Sequence, residues 1–347
     1  MAASFAQRLL DWFDRCGRHD LPWQHPRNAY RVWLSEVMLQ QTQVSTVIGY
    51  FERFVLAIPD LPALAAADPD RVLALWSGLG YYSRARNLHK AARICVERHS
   101  GDLPRDFDAL LALPGIGRST AGAILAQALE LPFPILDGNV KRVLSRQLGL
   151  RDWPGQSDVE RQLWEESEAR LPRQRLADYT QALMDLGATV CKRQRPLCSE
   201  CPVADECLAK QGNLQAEIPA RKPRKTSPQR ETIMLWITDN QGRTLLQRRP
   251  PSGIWGGLWS LPEASSTEDV DTFALRFGAV QADVALIRFQ HVFSHFKLNV
   301  TVQRFHSARP IPRANDAPSN AWFAQADLYG LGLPAPIRRL VENCQES

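Results

Sequence analysis

Residues 113–141 read LPGIGRSTAGAILAQALELPFPILDGNVK, and this stretch constrains the fold more than any other. Leu113-Pro114-Gly115-Ile116-Gly117 is a tight turn. A short apolar helix precedes it (Phe107, Leu110, Leu111) and a helix of small residues follows it (Ala121, Ala123, Ile124, Ala126). The pattern predicts a helix-hairpin-helix. Gly115 and Gly117 permit backbone angles closed to other residues and let another backbone come close. Free N–H groups at the start of the second helix favour an anionic phosphate. Asp137 stands 20 residues beyond Gly117, in Leu136-Asp137-Gly138-Asn139, ahead of a helix carrying Val140, Val143, Leu144 and Leu148. The pentapeptide alone is an ordinary helical turn. Hairpin, following helix and spaced aspartate together point to DNA.

The flanking chain reads as helical. Residues 4–17 carry Phe5, Leu9, Leu10 and Phe13 at helical spacing, and Leu21-Pro22-Trp23 then turns the chain. From Tyr30 to Val55 apolar residues recur at the same period. Glu36 lies inside this run, with Val32, Trp33 and Leu39 one turn away, so a mostly apolar face surrounds a carboxyl group. A helical Glu is ordinarily rotated to solvent; the face it shares argues otherwise. Gln40-Gln41-Thr42 interrupts the apolar pattern. Residues 60–100 hold two more helices around Gly78-Leu79-Gly80-Tyr81-Tyr82, whose tyrosines suit either a core or a wedge against stacked bases. Further helices fill residues 158–189, with Gln181 on the last. Nothing up to residue 210 alternates with period two, so this part reads as all-α.

Four of the seven cysteines fall within seventeen residues: Cys191, Cys198, Cys201 and Cys207. Such clustering argues for metal rather than disulfides. Four thiolates suit tetrahedral zinc or a [4Fe–4S] cluster, though zinc sites more often show two C-x2-C pairs and one is present here. The net charge of +5 is local. Residues 191–230 contain nine Lys/Arg and four Asp/Glu, so the remainder sums to zero. A basic patch of this kind suits a polyanion.

Residues 216–230 (AEIPARKPRKTSPQR) hold three prolines and five cations without apolar periodicity, which predicts a tether. Beyond it the pattern changes. Thr232–Ile237 and Arg243–Arg248 read as strands around an Asp239-Asn240-Gln241-Gly242 turn, Phe289–Arg304 supplies more strand, and Pro336–Asn343 reads as helix. The expected organisation is an all-α helix-hairpin-helix domain over 1–215 with a metal loop at 191–207, a basic linker over 216–230, and an α+β domain over 231–347. At 347 residues the chain is long enough for two separate cores. The N-terminal helix lacks the apolar core of a signal peptide and no run is long enough to span a bilayer, so a cytoplasmic protein near the nucleoid, without membrane contact, is expected.

Several motifs jointly resemble the endonuclease III-like helix-hairpin-helix DNA glycosylases, and within them the adenine-specific (MutY) family. They are WLSEVMLQQT (33–42), GLGYYSRARN (78–87), LPGIGRSTAGAI (113–124), LDGNVKRVL (136–144) and the four cysteines. WGGLWSLPE (255–263) and HVFSH (291–295) are similar to the Nudix-type module that family carries. The resemblance implies a monomeric base-excision repair enzyme with a [4Fe–4S] cluster. Its partner is double-stranded DNA with adenine opposite 8-oxoguanine or guanine, and the adenine is flipped out of the duplex. It also implies that Trp23 and Gln181 line the adenine pocket. Leu39, Gln40, Gln41 and Tyr81 would act at the 8-oxoguanine side or fill the gap left by the flipped base. Phe293, Ser294 and His295 would read 8-oxoguanine, and Gly115, Gly117, Ser119, Asn139 and Lys141 belong to the DNA-binding and catalytic motifs.

The chemistry agrees. Breaking an N-glycosidic bond leaves an oxocarbenium-like sugar and a base that must accept a proton, so a site needs one protonated acid and one anion. Glu36 on its apolar face favours the neutral form, and Asp137 before a helix start favours the anion. Bifunctional relatives carry a nucleophilic Lys where this chain has Ser119, which predicts a monofunctional enzyme; Lys141, one turn past Asp137, suits at most an incidental Schiff base. Hydrolysis of free nucleotides needs a Glu-rich metal-binding helix of the form REx2EE, and ASSTEDVDTFALRFG (264–278) lacks it. A non-catalytic DNA binder would not need Glu36 and Asp137.

Overall fold

The computed structural model describes residues 3–223, 227–264, 270–281, 286–293, 295–308 and 319–343. It divides into two units: Met1–Ala66 with Asn87–Arg224, and Ala67–Arg86 with Lys225–Ser347.

The first unit is helical. Its helices are α1 (Phe5–Cys16), α2 (Ala29–Leu39), α3 (Val44–Ala57) and α4 (Leu61–Ala66). After α5 (Pro69–Leu75), which belongs to the other unit, and α6 (Ser83–Arg98) come α7 (Phe107–Leu111), α8 (Arg118–Leu129), α9 (Gly138–Gln147), α10 (Ser157–Ala169) and α11 (Leu176–Asp185). A π-helical turn Leu186–Val190, a 3-10 turn Cys198–Glu200 and α12 (Leu208–Gln211) complete it. Side chains cap the helices where the sequence offers them: Ser4 accepts from the Gln7 amide, Asn28 from Arg31 and Asp106 from Ala109.

Helix α8 is the central element. Residues Thr120 to Gln127 are all buried, as a helix packed on every side requires. α2 and α11 both pack against it, and Glu130 just past its end accepts from the Leu176 and Ala177 amides at the start of α11. Small residues permit this crowding. A Cβ on Gly122 would sit 2.2 Å from the Pro134 carbonyl oxygen, so the segment leading to Asp137 runs directly over the helix backbone there. Gly122→Ala is expected to lift that segment and cost about 1–3 kcal/mol. A lower urea midpoint with unchanged slope, together with slower base release, checks it. The core beneath joins Leu9 and Phe13 of α1 to Val140, Val143 and Leu144 of α9 and to Tyr179, Leu183 and Leu186.

The second unit is built on a mixed sheet: β1 (Gln229–Asp239), β2 (Thr244–Arg248), β3 (Trp259–Ser260), β4 (Glu263–Ala264), β5 (Ala279–Gln281), β6 (Ile287–Val292), β7 (Lys297–Ser307) and β8 (Asn320–Phe323). The order is β3-β2-β1-β7-β5, with β4 on β1, β6 on β7 and β8 on β2. β1 and β7 run parallel from Gln229↔Lys297 to Asp239↔Ser307. Asp239 closes the β1–β2 turn by accepting from the Gln241 and Arg243 amides, with Gly242 at φ 69°. Helices α13 (Val270–Leu275) and α14 (Ala335–Asn343) complete the unit.

Residues 67–86 group with this unit, whereas their helical pattern placed them in the first segment. Asp70 pairs with Arg248 and accepts from the Trp259 indole at 3.3 Å, and the Ser77 and Tyr82 hydroxyls both donate to the Leu333 carbonyl. Those partners lie 178 to 256 positions away, so no local pattern announces them. The unit boundary at 224/225 falls within the basic stretch 216–230.

Candidate active site

Glu36 projects from α2, the helix that packs on α8. Its flanking residues Ser35 and Val37 are buried, and Glu36 itself is only partly accessible. Gln127 of α8, itself buried, donates its amide to Glu36 Oε1 at 3.3 Å. Desolvation pushes the Glu36 carboxyl up to about 7, the neighbouring charge of Asp137 adds to the rise, and the Gln127 hydrogen bond opposes it. The two carboxyl groups, 101 positions apart in sequence, therefore share one electrostatic site.

Asp137 is the N-cap of α9: Oδ1 accepts from the Val140 amide at 2.7 Å, and Oδ2 from Asn139 Nδ2 at 3.4 Å. Burial nevertheless outweighs these bonds and holds its carboxyl above the usual range, while the Val140 and Asn139 amides and the Arg142 guanidinium pull it down. The helix start does favour the anion, but it does not win outright. Burial thus raises both carboxyls, and the charge of Asp137 raises Glu36 further.

Ser119 fixes the approach to this carboxylate. Its hydroxyl accepts from the Leu136 amide at 3.0 Å, so it braces the residue before Asp137. Lys141 Nζ pairs with Glu160 at 2.6 Å. Arg142 donates to Asn139 Oδ1 (2.9 Å) and to the Gly187 (2.6 Å) and Cys191 (2.7 Å) carbonyls, tying the start of α9 to the cysteine loop.

Of the remaining expected site residues, Gln181 is buried in α11 with its amide nitrogen on Asp185 at 2.7 Å. Trp23 is buried edge-on against Phe51. Gln40 reaches Thr120 of α8 at 3.5 Å, Leu39 is half-buried, and exposed Gln41 has left-handed φ 60°. In the hairpin turn Gly115 has φ 82°, which favours glycine, whereas Gly117 has ordinary angles and open space where a Cβ would stand. The protein's own packing thus does not demand glycine at 117.

The four cysteines line one pocket with Arg146, and Cys201 interacts electrostatically with each of the other three. Buried Arg146 organises the loop, donating to the carbonyls of Cys191, Lys192, Arg193, Gln215 and Ile218 and to Cys191 Sγ at 3.3 Å. Among the described residues no three His, Cys, Asp or Glu side chains stand as a set able to hold a single metal ion.

In the second unit Tyr81, Phe293 and His295 line one cavity with Arg86, Arg230 and Trp255. Trp255 and Phe293 pack 5.8 Å apart, and Phe293 stacks on Phe296 at 4.5 Å. Ser294 lies outside the described residues. Sequence reasoning missed Gln127, Asp185, Arg18, Arg142 and Arg146. Each acts on a residue far away in sequence, and only a buried charge next to apolar neighbours could have hinted at the arginines.

Residues 34–169 match the family described as "HhH-GPD superfamily base excision DNA repair protein", and residues 233–343 match a NUDIX domain. The adenine DNA glycosylase of Buchnera aphidicola (from Acyrthosiphon pisum) is 35% identical over 99% of this chain and 98% of its own length. The human adenine DNA glycosylase is 34% identical over 97% of this chain and 73% of its own. The chain belongs to the adenine DNA glycosylase (MutY) family. Its members are DNA glycosylases, hydrolases of N-glycosyl bonds in base excision repair. A thermostable thymine-DNA glycosylase of solved structure aligns with a TM-score of 0.55 and 25% identity, covering 60% of this chain and 95% of that one. Endonuclease III in a DNA complex aligns at 0.51 and 23% over the same shares, a likeness of fold. The adenine DNA glycosylase family thus joins a helical hairpin domain to a Nudix domain in this chain. Among the described residues no helix is long and apolar enough to cross a membrane.

Proposed function

We propose that this enzyme removes adenine paired with 8-oxoguanine or guanine from double-stranded DNA, after flipping the adenine out of the helix. The observation that carries the reading is the Glu36–Asp137 pair, two carboxyl groups in one site with different surroundings: Glu36 is raised by burial and by the charge of Asp137, whereas Asp137 is held by the amides at the start of α9. Glu36 holds a proton near neutral pH and gives it to the leaving adenine. The resulting carboxylate then activates water. Asp137, anchored by the start of α9, stands as the anion that stabilises the positive sugar. The capped Asp is oriented before reaction, so no dipole has to reorganise as charge develops.

The enzyme acts as a monofunctional glycosylase. Ser119 offers no amine, and the Lys141 ammonium is engaged by Glu160. The backbone around Gly115 and Gly117 and the uncapped start of α8 suit a phosphate of the DNA. Trp23 and Gln181 line the adenine pocket; Leu39, Gln40, Gln41 and Tyr81 act at the opposite base; Phe293, Ser294 and His295 read 8-oxoguanine; Asn139 supports Asp137.

Cys191, Cys198, Cys201 and Cys207 would hold a [4Fe–4S] cluster. Four thiols line one pocket, and the single C-x2-C pair together with the family resemblance favours the cluster over zinc. When bound, the cluster supplies a cross-link for the loop that Arg146 and Arg142 grip. The enzyme works as a cytoplasmic, nucleoid-associated monomer; the basic stretch 216–230 is packed at its ends and not a free tether throughout, since Ile218 is buried and Gln229 begins β1.

Single-turnover excision on duplexes carrying adenine opposite 8-oxoguanine, guanine or cytosine tests the reading. Fastest release opposite 8-oxoguanine without strand cleavage is expected. Equal release opposite all three, or none, rejects it.

A further inference from the structure

Gln181 and Asp185 stand one turn apart on α11, and both are buried. Gln181 Nε2 donates to Asp185 Oδ1 at 2.7 Å. The same carboxylate is held from the other side by Arg18, whose backbone amide donates to Oδ2 at 2.8 Å and whose Nε and Nη2 donate to Oδ1 at 2.9 and 2.6 Å. Arg18 is fixed in turn, because its carbonyl accepts from Gln24 Nε2 at 3.0 Å. Gln181 Oε1, by contrast, is buried with no hydrogen-bond partner.

We propose that Asp185 is a positioning residue that sets the sense of the Gln181 amide and so makes the base pocket select a 6-aminopurine over a 6-oxopurine. The inference rests on the reading that Gln181 lines that pocket. A primary amide is nearly symmetric in shape, so packing alone does not choose which end faces the base. An ionised carboxylate does choose, because it accepts only. Reversing the amide would set two acceptors 2.7 Å apart with no hydrogen between them. The amide nitrogen therefore faces Asp185, and the carbonyl is left as a buried acceptor awaiting a donor. A buried acceptor without a donor is costly. The exocyclic amine of adenine supplies one, whereas hypoxanthine or guanine would present a carbonyl to a carbonyl. A site built to hydrogen-bond one group rejects the analogue that lacks it far more strongly than a shape-matched apolar pocket does.

The test compares single-turnover release of adenine and of hypoxanthine, each opposite 8-oxoguanine. In Asp185→Asn the replacement amide both donates and accepts, so Gln181 is free to turn over, and the adenine-to-hypoxanthine rate ratio is expected to fall about 10-fold or more. A merely structural role would slow both substrates together and leave the ratio alone. Gln181→Met removes the amide while keeping Asp185 and Arg18; it should lower the ratio similarly, and the double variant should go no lower. Where circular dichroism shows Asp185→Asn unfolded, Arg18→Met is read instead, since it strips two side-chain hydrogen bonds from the carboxylate; a severalfold fall is expected. An unchanged ratio in the folded Asp185 or Arg18 variant, with a lowered ratio in Gln181→Met, overturns the positioning role. An unchanged ratio in Gln181→Met overturns the pocket reading and this inference with it.

Discussion

Glu36→Gln should slow single-turnover adenine release by about 10²–10⁴-fold, because the glutamine fills the same space and gives up no proton. In the unaltered enzyme the rate should fall above pH 7, following loss of the proton from a carboxyl pushed up to about 7. It should also fall at acid pH as Asp137 becomes protonated, giving a bell-shaped profile. The same group makes a second, separable prediction. Its ordinary value is 4.5, so between 4.5 and about 7 the folded chain holds more protons than the unfolded one. Stability contributed by the neutral carboxyl is therefore present at low pH and lost as pH rises through that window. Glu36→Gln should raise the unfolding free energy at pH 8 by roughly 3 kcal/mol and change it little below pH 4.5. Urea titrations at the two pH values check this, and a variant that loses activity while gaining stability marks a group kept for chemistry.

Asp137→Asn should lower the release rate by about 10²–10³-fold with little loss of stability. Asparagine caps helices as well as aspartate does, so the bond to the Val140 amide survives while the charge disappears. Removing the charge also removes one cause of the raised Glu36 value, so the alkaline limb of the pH profile should move to lower pH. An Asn variant with a near-native rate and an unmoved limb would show that Asp137 and Glu36 do not share a site. A variant that merely unfolds would be recognised by its melting temperature.

Much of the candidate site is legible in the sequence. Glu36 stood out because a carboxyl shared a helical face with Val32, Trp33 and Leu39. Asp137 stood out because it lies 20 residues past Gly117 and just before a helix start, and in the structure it is the N-cap of α9. The cysteine spacing marked one loop, and its four thiols do line one pocket. Two expectations needed adjustment. The start of α9 was expected to favour an ionised Asp137, but burial carries its carboxyl above the usual range, a balance of opposing effects that sequence does not weigh. Residues 60–100 read as two more helices of the first segment, yet within them Asp70, Ser77 and Tyr82 bond within the C-terminal unit.

By itself the sequence determined the periods, the caps and the turns: where helices begin, which faces are apolar, where strands replace helices after residue 230, and which side chains carry chemistry. These are local properties, set by backbone sterics and by the 3.6- and 2-residue repeats. The tertiary structure alone decided what surrounds each charge. It set Gln127 against Glu36, Arg142 between Asn139 and Cys191, Arg146 at the hub of the cysteine loop, and Arg18 opposite Asp185. Protonation and hydrogen-bond sense depend on desolvation and on partners a few ångströms away in space, several of which in this chain lie 45 to 167 positions away in sequence.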